Sequence, residues 1–294
     1  MSIPAVTTLG VVGAGFMGSG IAEAAARAGI DVTVHEPAEA ALQRSRDQIE
    51  QSVARAVDGG KLAAEAAGEL LARIAWSSDL DALGAADVVV EAIVEDLGVK
   101  PDVFARVDAA TPHARVLASN TSSIPIASLA AATRRPERVC GLHFFSPVPV
   151  MRLVEIVVGL DTAPVTIAAA EAFSAQIGKT AIRTKDRSGF VVNFLLVPYL
   201  TAAIRMLEDG FASREDIDAG MRLGCGHPMG PLTLCDLIGL DVLYAVSESL
   251  YDEFKREEYA PPPLLKRMVA AGRLGRKTGR GFYEHATERQ ALAA

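Results

Sequence analysis

The chain has 294 residues, enough for two packed domains, because single hydrophobic cores rarely grow far beyond about 250 residues. Half of its residues are hydrophobic and 22% are charged, which is an ordinary globular composition. The net charge of −7 argues against a nucleic-acid-binding protein or a basic membrane-surface protein. Cys140, Cys225 and Cys235 form no Cys-x-x-Cys pair, so we expect no disulfide framework and no metal site, and interpret them as packing residues.

The sequence gives no indication of targeting or membrane insertion. Its first residues lack the charged-then-apolar layout of a signal peptide, which favours a cytoplasmic protein. The longest apolar run, Phe190–Ile204, contains Asn193 and Pro198. It has about 15 residues, whereas a bilayer span needs about 20. We therefore interpret this run as a buried helix.

From Val6 to about Thr184, short β-branched runs alternate with alanine-rich helical stretches, which is typical of a parallel sheet covered by helices. The predicted strands are Thr8–Gly13, Asp31–Glu36, Val88–Ala92, Val116–Ser119 and Val139–His143, with weaker ones at Leu153–Val158 and Lys179–Arg183. The predicted helices are Met17–Ala28, Ala38–Val57, Ala63–Arg73, Val99–Ala109 and Pro164–Gln176.

Beyond Gly189 the pattern changes to helices alone. The predicted helices there are Phe190–Glu208, Arg214–Leu223, Leu232–Lys255 and Pro263–Ala271. We therefore predict an α/β fold with a Rossmann-type, mostly parallel sheet domain over residues 1–186, followed by an all-α domain over residues 187–294.

A glycine-rich motif, Gly13-Ala14-Gly15-Phe16-Met17-Gly18, follows the first strand and opens the first helix. In this context the glycines permit a tight turn, close approach of a pyrophosphate and close packing of helix on strand. The second strand ends at Glu36, about 20 residues on, where a carboxylate can bind both ribose hydroxyls. That carboxylate repels a 2′-phosphate, and Pro37 stands where an arginine is expected for NADP. The motif therefore predicts NAD as the cofactor.

A histidine and a glutamate form the second constellation. His143 ends one predicted strand, and Glu155 lies within the next. Side by side, the carboxylate would orient the imidazole for general acid–base work. A lone histidine at a strand end is more often structural, but ligands of such sheets bind at this edge, which favours a functional role.

Further motifs follow one another through nearly the whole chain: Glu91-Ala92-Ile93-Val94-Glu95, Ser119-Asn120-Thr121-Ser122-Ser123, His143–Glu155, Lys185-Asp186, Gly189-Phe190-Val191, Asn193, Gly226-His227-Pro228-Met229-Gly230-Pro231, Lys277-Thr278-Gly279 and Gly281-Phe282-Tyr283. With them the chain resembles the 3-hydroxyacyl-CoA dehydrogenase family, close to its bacterial 3-hydroxybutyryl-CoA members. The resemblance implies NAD-dependent interconversion of the 3-hydroxyl and 3-keto groups of a short-chain acyl-CoA, such as 3-hydroxybutyryl-CoA and acetoacetyl-CoA.

The resemblance also implies residue roles. His143 would accept the hydroxyl proton, and Glu155 would stabilise the resulting imidazolium. Ser122 would lie near substrate and nicotinamide, while Asn193 would be directed at the substrate. Cofactor contacts are implied for Gly13, Gly15, Phe16, Met17, Gly18, Glu36, Glu95, Lys100, Ser122, Ser146 and Lys277.

Structural alternatives accompany several of these assignments. Ser122 could cap a short helix beginning near Ile124. Asn193 lies in an apolar stretch, where its amide could serve a structural hydrogen bond. Glu95 and Lys100 could be solvated surface charges.

A contact with the coenzyme A moiety is predicted on the helix after Glu36. Its polar face is formed by Arg44, Gln48, Gln51 and Arg55. The resemblance implies that Ser52 and Lys61, on the same helical hairpin, contact the coenzyme. A solvated helix face would explain the same charges.

Three positions depart from the family pattern. Ser146 replaces the usual asparagine, Ser188 replaces a common proline, and Phe194 replaces an arginine that often follows the asparagine. None of them removes a proton-transfer group, so the implied chemistry survives.

Two other functions remain open. The fold could act on a sugar acid or another 3-hydroxy acid without coenzyme A, or could persist as a catalytically silent, crystallin-like binding protein. We also expect a homodimer formed through the helical domain, because Phe190–Met206 is apolar on more than one face.

Overall fold

The computed structural model describes residues 3–285. The chain divides into two compact units, of which the first ends at Arg187 and the second begins at Ser188. The outer ends of the two predicted domains, residues 1–2 and 286–294, lie outside the described residues. A mostly parallel sheet with helices, followed by a helical unit, confirms the predicted fold class.

The N-terminal unit contains one eight-stranded sheet in the order β3-β2-β1-β4-β5-β6-β7-β8. Its first six strands in this order are parallel, β7 runs antiparallel to β6, and β8 is parallel to β7. The strands are β1 (Thr8–Val12), β2 (Asp31–His35), β3 (Ile74–Ser77), β4 (Val88–Glu91), β5 (Val116–Ser119), β6 (Val139–Phe144), β7 (Leu153–Val158) and β8 (Thr180–Lys185).

Helices cover this sheet, and the strands at its centre are buried over their whole length. Every residue of β4, β5 and β6 is buried, which is the pattern expected where helices cover both faces of a parallel sheet. The helices of this unit are α1 (Phe16–Arg27), α2 (Glu39–Asp58), α3 (Ala64–Ala72), α4 (Lys100–Ala110), α5 (Ile126–Ala130) and α6 (Pro164–Gln176). The order of the strands brings the ends of β1, β4, β5 and β6 to one edge.

The C-terminal unit packs its helices around a separate apolar core that includes Leu200, Leu232, Leu250 and Leu265. Its helices are α7 (Val192–Glu208), α8 (Arg214–Ala219), α9 (Pro231–Ile238), α10 (Leu240–Phe254) and α11 (Pro263–Ala270). Among residues 3–285, no helix combines the length and the apolar character that a membrane span requires.

The structure corrects two element predictions and one side-chain prediction. Strand β3 was not expected, because its four residues alternate too briefly to give a strand signal. The single helix expected over Leu232–Lys255 is two helices, which Gly239 separates with φ +100°. Cys140 and Cys235 are buried as expected of packing residues, whereas Cys225 is exposed.

Candidate active site

The glycine-rich loop joins β1 to α1 in the conformation that its spacing predicts. Gly13 has φ +107°, and a Cβ there would lie 2.6 Å from the Ala92 carbonyl oxygen. A Cβ on Gly18 would overlap the Gly13 carbonyl, so helix and strand approach closely here. A Cβ on Gly15, by contrast, would meet nothing within 4 Å. The space beside Gly15 therefore suits a phosphate approaching the helix N-terminus.

The first turn of α1 keeps its amides available to an anion. Within residues 3–285, no side chain caps this helix and no acidic residue lies in its first turn. Phe16 is exposed, while Met17 packs partly against the sheet core. An uncapped helix N-terminus beside a glycine loop fits the pyrophosphate of a dinucleotide.

Glu36 follows β2 and lies beside the glycine loop. Its Oε1 accepts the Ala38 amide at 3.2 Å, and its Oε2 lies 3.5 Å from the Ala14 nitrogen. These contacts hold an acidic group next to the phosphate position, where it can accept hydrogen bonds from ribose hydroxyls. Loop, helix and carboxylate together define a dinucleotide-binding site.

His143 and Glu155 face each other on neighbouring strands. The antiparallel register of β6 and β7 places the two residues directly opposite, with His143 Nδ1 2.6 Å from Glu155 Oε2. Their side chains are only 8% and 0% exposed. The imidazole and the Phe145 ring form an edge-to-face pair, with their centroids 4.7 Å apart. The predicted side-by-side arrangement is confirmed, and it is fixed by the backbone pairing itself.

A buried ion network lies at the ends of β4 and β5. Lys100 Nζ is 2.9 Å from Glu91 Oε1 and 2.8 Å from Glu95 Oε2. The lysine and Glu91 side chains are each 2% exposed, so the alternative that Lys100 is a solvated surface charge is wrong. Glu95 is 38% exposed at the outer end of the network.

Glu95 holds the segment that carries Ser122. Its Oε1 accepts the Thr121 hydroxyl at 2.5 Å and the amides of Ser122 and Ser123 at 3.1 and 3.3 Å. Burial of the carboxyl raises the pKa of Glu95, but the Lys100 charge and these hydrogen bonds outweigh burial and lower it overall. Glu95 is therefore held as a carboxylate against the serine segment.

Ser122 does not cap the short helix that follows it. Helix α5 begins at Ile126, and the amides of Ile126 and Ala127 donate to Asp186 at 2.9 and 2.8 Å. Asp186 belongs to the Lys185-Asp186 motif, so this aspartate has a structural role that the motif alone did not reveal.

The loop between β6 and β7 carries Ser146, which is exposed. Lys179 anchors this loop by donating to the carbonyl oxygens of Val148 and Met151, at 2.5 and 2.7 Å. Burial, together with the nearby Arg27 charge, lowers the pKa of Lys179. Lys179 thus ties down the part of the loop that follows Ser146.

On α2, the apolar face of Leu42, Ile49 and Val53 is buried as predicted. Ser52 is half-buried and forms a hydrogen bond to Glu23 of α1, while Lys61 is exposed in the turn after α2. Within the N-terminal unit, the two residues predicted to contact the coenzyme therefore differ: one has a structural partner, and the other faces solvent.

In the C-terminal unit, Asn193 is half-buried in the first turn of α7. Phe194, beside it, packs against Phe254 and Tyr259, with ring centroids 5.4 and 5.5 Å apart. An aromatic cluster thus explains why a phenylalanine occupies this position. Lys277 Nζ lies 2.6 Å from an Asp241 carboxylate oxygen, so its charge has a partner within the unit.

Sequence inspection missed two buried aspartates of this unit. Asp236 accepts the amides of Phe282 and Tyr283, at 2.8 and 2.9 Å, and pairs with His285. Asp218 accepts the first amides of α9, and a Cβ on Gly230 would overlap it. The glycine-rich motifs that surround Asp218 and Asp236 are therefore structural. The density of glycine in these motifs was the sequence feature that could have pointed to the two buried aspartates.

Comparison with known proteins agrees with this class of site. Residues 8–187 match the model of the 3-hydroxyacyl-CoA dehydrogenase NAD binding domain, and residues 189–285 match that of the family's C-terminal domain. A 3-hydroxybutyryl-CoA dehydrogenase of Mycobacterium tuberculosis is 53% identical over 96% of this chain and 99% of its own.

Solved structures give the same result. The crystal structure of FadB2 from M. tuberculosis matches with a TM-score of 0.94 and 53% identity, over 96% of this chain and 100% of the other. That of (S)-3-hydroxybutyryl-CoA dehydrogenase PaaH1 from Ralstonia eutropha matches with a TM-score of 0.90 and 47% identity, over the same shares. The chain belongs to the 3-hydroxyacyl-CoA dehydrogenase family, and is an NAD-dependent enzyme of that class.

Proposed function

We propose that this enzyme oxidises short-chain (S)-3-hydroxyacyl-CoA, such as 3-hydroxybutyryl-CoA, to the 3-ketoacyl-CoA, and catalyses the reverse reaction. The observation that carries the proposal is the buried His143–Glu155 pair at the sheet edge that also holds the loop Gly13–Gly18. The names of the relatives support the choice of the butyryl substrate.

His143 acts as the general base in the oxidation and as the general acid in the reverse reaction. With its Nδ1–H donated to Glu155, the ring presents Nε2 as the nitrogen that takes the 3-hydroxyl proton. Glu155 fixes the ring orientation and stabilises the imidazolium that forms. Ser122 contacts the substrate and the nicotinamide side, and Asn193 is directed at the substrate.

Bound NAD would supply the acceptor for the hydride that leaves the 3-carbon. Gly13, Gly15 and Gly18 shape the phosphate site, with Phe16 and Met17 at its helix end, and Glu36 binds the adenosine ribose. The remaining residues proposed on the cofactor side are Glu95, with Lys100 behind it, Ser122, Ser146 and Lys277.

Exposed cations on α2 and in the turn after it support coenzyme A as the substrate's handle. Arg44, Arg55 and Lys61 are exposed, and cations there would offset the negative charge that the whole chain presents to a coenzyme phosphate. Ser52 is proposed as a neighbouring polar contact.

Three thiols without a disulfide favour a reducing compartment, the cytoplasm.

A single assay tests the function. NADH oxidation is followed at one protein concentration with acetoacetyl-CoA, free acetoacetate or a keto sugar acid as substrate. We expect acetoacetyl-CoA to have the highest kcat/KM by at least about 100-fold, because the free acids lack the coenzyme contacts. Preference for a free acid would support the enzyme without coenzyme A, and absence of turnover with all three would support a binding protein.

A further inference from the structure

The buried lysine of the N-terminal unit stands between two carboxylates that belong to different segments. Lys100 is the first residue of α4, Glu91 is the last residue of β4, and Glu95 lies in the connection between them. Both carboxylates lie within 3 Å of the ammonium. One ammonium faces two carboxylates, so the formal charges of the cluster sum to −1, and Lys100 offers no surplus positive charge to a ligand.

The inner end of this cluster is attached to the last residue of β5, and the outer end to the segment that follows β5. At the inner end, Glu91 accepts the Ser119 hydroxyl at 2.6 Å and the Ile93 amide at 2.7 Å. At the outer end, Glu95 accepts the Thr121 hydroxyl and the Ser122 and Ser123 amides. The segment 119–123 is therefore fixed at its start and in its middle by one continuous set of charged hydrogen bonds.

We infer that Glu91 is a positioning residue for the reaction. Through Lys100 and Glu95 it fixes the segment 119–123, and thereby sets the position of Ser122 at the reacting group. This inference rests on the proposed function, in which Ser122 contacts the substrate. Lys100 accordingly acts through Glu95, by holding that carboxylate on the serine amides, rather than as an independent cation.

The chain offers a matched control for Glu91 on α4, the helix that begins with Lys100. Asp108 of α4 is also buried and paired, since it lies 2.6 Å from Arg135 and accepts the Arg134 amide at 2.7 Å. Glu91→Gln and Asp108→Asn make the same chemical change, from a buried carboxylate to its amide. Asp108 holds a different segment, so the two variants separate loss of stability from loss of positioning.

With acetoacetyl-CoA and NADH, we expect Glu91→Gln to lower kcat by about 10- to 100-fold, because a small displacement of a substrate-positioning group costs that much. Asp108→Asn should lower Tm comparably while keeping kcat within about twofold. Equal kcat losses in both variants, or none in Glu91→Gln, would overturn the inference.

A double-mutant cycle shows whether Glu91 acts through the serine. If it does, Glu91→Gln should cost little further activity once Ser122→Ala is present, because the group that it positions is gone. Fully multiplicative losses in kcat would contradict this. Should Glu91→Gln fail to fold, Ser119→Ala replaces it in the cycle, since it leaves the charges intact and removes the bond to Glu91, together with the Thr121 amide bond to the same hydroxyl.

Hydrogen exchange tests the same idea without any substrate. The amides of Ser122 and Ser123 should exchange at least about tenfold faster in Glu91→Gln than in the wild type or in Asp108→Asn. Unchanged exchange in Glu91→Gln would overturn the inference. If the wild type does not turn over acetoacetyl-CoA, the proposed function fails, whereas the exchange measurement still decides whether the network fixes the segment.

Discussion

In the proposed mechanism, the backbone pairing at His143 decides which ring nitrogen exchanges the proton with the substrate. The register of β6 and β7 brings Glu155 against Nδ1, so the proton on that nitrogen is committed to the carboxylate. The tautomer that results presents Nε2 as the acceptor. A histidine held by a cross-strand partner needs no loop to orient it, so the pairing of β6 and β7 itself sets the direction of the ring.

The first prediction follows from this assignment. His143→Gln should lower kcat by about 10²–10⁴-fold, because glutamine cannot accept the proton. NADH binding, measured by fluorescence titration, should stay nearly intact, since the glycine loop is untouched. His113→Gln provides the control, because His113 is exposed and lies away from the β6–β7 pair. A His143→Gln variant that keeps more than a tenth of wild-type kcat would refute the assignment.

Replacement of Glu155 should change both kcat and the pH–rate profile. Glu155→Gln keeps the size of the side chain but removes the charge beside the imidazolium, so kcat should fall by about 10-fold or more. The pH–rate profile should change as well, because the variant no longer pairs a charge with the protonated ring. A variant with wild-type kcat and an unaltered profile would contradict a role for the dyad.

Ser146 stands where the family usually has asparagine, and the substitution Ser146→Asn tests the effect of this departure. Asparagine offers both a donor and an acceptor and reaches farther than serine, so Ser146→Asn should restore one cofactor contact. One hydrogen bond is worth about 0.5–1.5 kcal/mol, so the NADH dissociation constant should fall by at most about tenfold, with little change in kcat. Weaker NADH binding by a variant with wild-type Tm would show that the loop has adapted to serine.

Sequence predicted the residues whose signal is local. The spacing Gly13–Gly18, the strand end at Glu36 and the pair His143 and Glu155 all follow from short-range patterns. Glu91 could not be recognised in the same way, because its partners Lys100 and Ser119 lie 9 and 28 residues away. A buried charge gains its role from tertiary neighbours, which periodicity does not encode.

Helix α1 carries a further buried charge that its alanine-rich sequence hides. Glu23 is 2% exposed and pairs with Arg27 at 3.1 Å. Burial raises the pKa of Glu23 more than the Ser52 hydrogen bond and the Arg27 charge lower it. A folded-state pKa above the unfolded value gives stability that is present at acidic pH, below the unfolded pKa, and lost as pH rises through the folded pKa.

Glu23→Gln should therefore stabilise the protein at neutral pH. The amide keeps the shape of the side chain without the buried charge, so Tm should rise on the order of 2 °C at pH 7.5 and be unchanged near pH 4. Differential scanning calorimetry at the two pH values measures this. Glu171→Gln is the control, because the Arg183 partner lowers the pKa of Glu171. Neutralising the Glu171 carboxylate should therefore not raise Tm at pH 7.5. A lower Tm for Glu23→Gln at pH 7.5 would contradict the prediction.

The elements that sequence missed share a physical cause. Strand β3 lies at the edge of the sheet and has only four residues, so it gains its conformation from pairing with β2 rather than from a pattern of its own. The break between α9 and α10 depends on one positive φ at Gly239, whose flanking residues alone read as continuous helix.

At the scale of the molecule, helix α7 presents an apolar face to solvent. It buries Val197, Leu200 and Ile204, whereas Leu195 is 67% exposed and Met206 is 40% exposed. Leu195 and Met206 are eleven residues apart, which is three helical turns and therefore one face. The expectation that α7 is apolar on more than one side agrees with these exposures, and we propose that the exposed face forms the homodimer.

The last prediction is that the enzyme is a homodimer and that Leu195→Asp makes it monomeric. Light scattering at micromolar concentration should give twice the chain mass for the wild type, because an apolar helix face in water favours association. A charge on that face would be desolvated without a partner on association, so the variant should give the mass of one chain. Leu160→Asp is the control, because Leu160 is 87% exposed on the N-terminal unit and its replacement should leave the dimer intact. A wild-type monomer would refute the dimer, and a dimeric Leu195→Asp variant would exclude α7 as its contact.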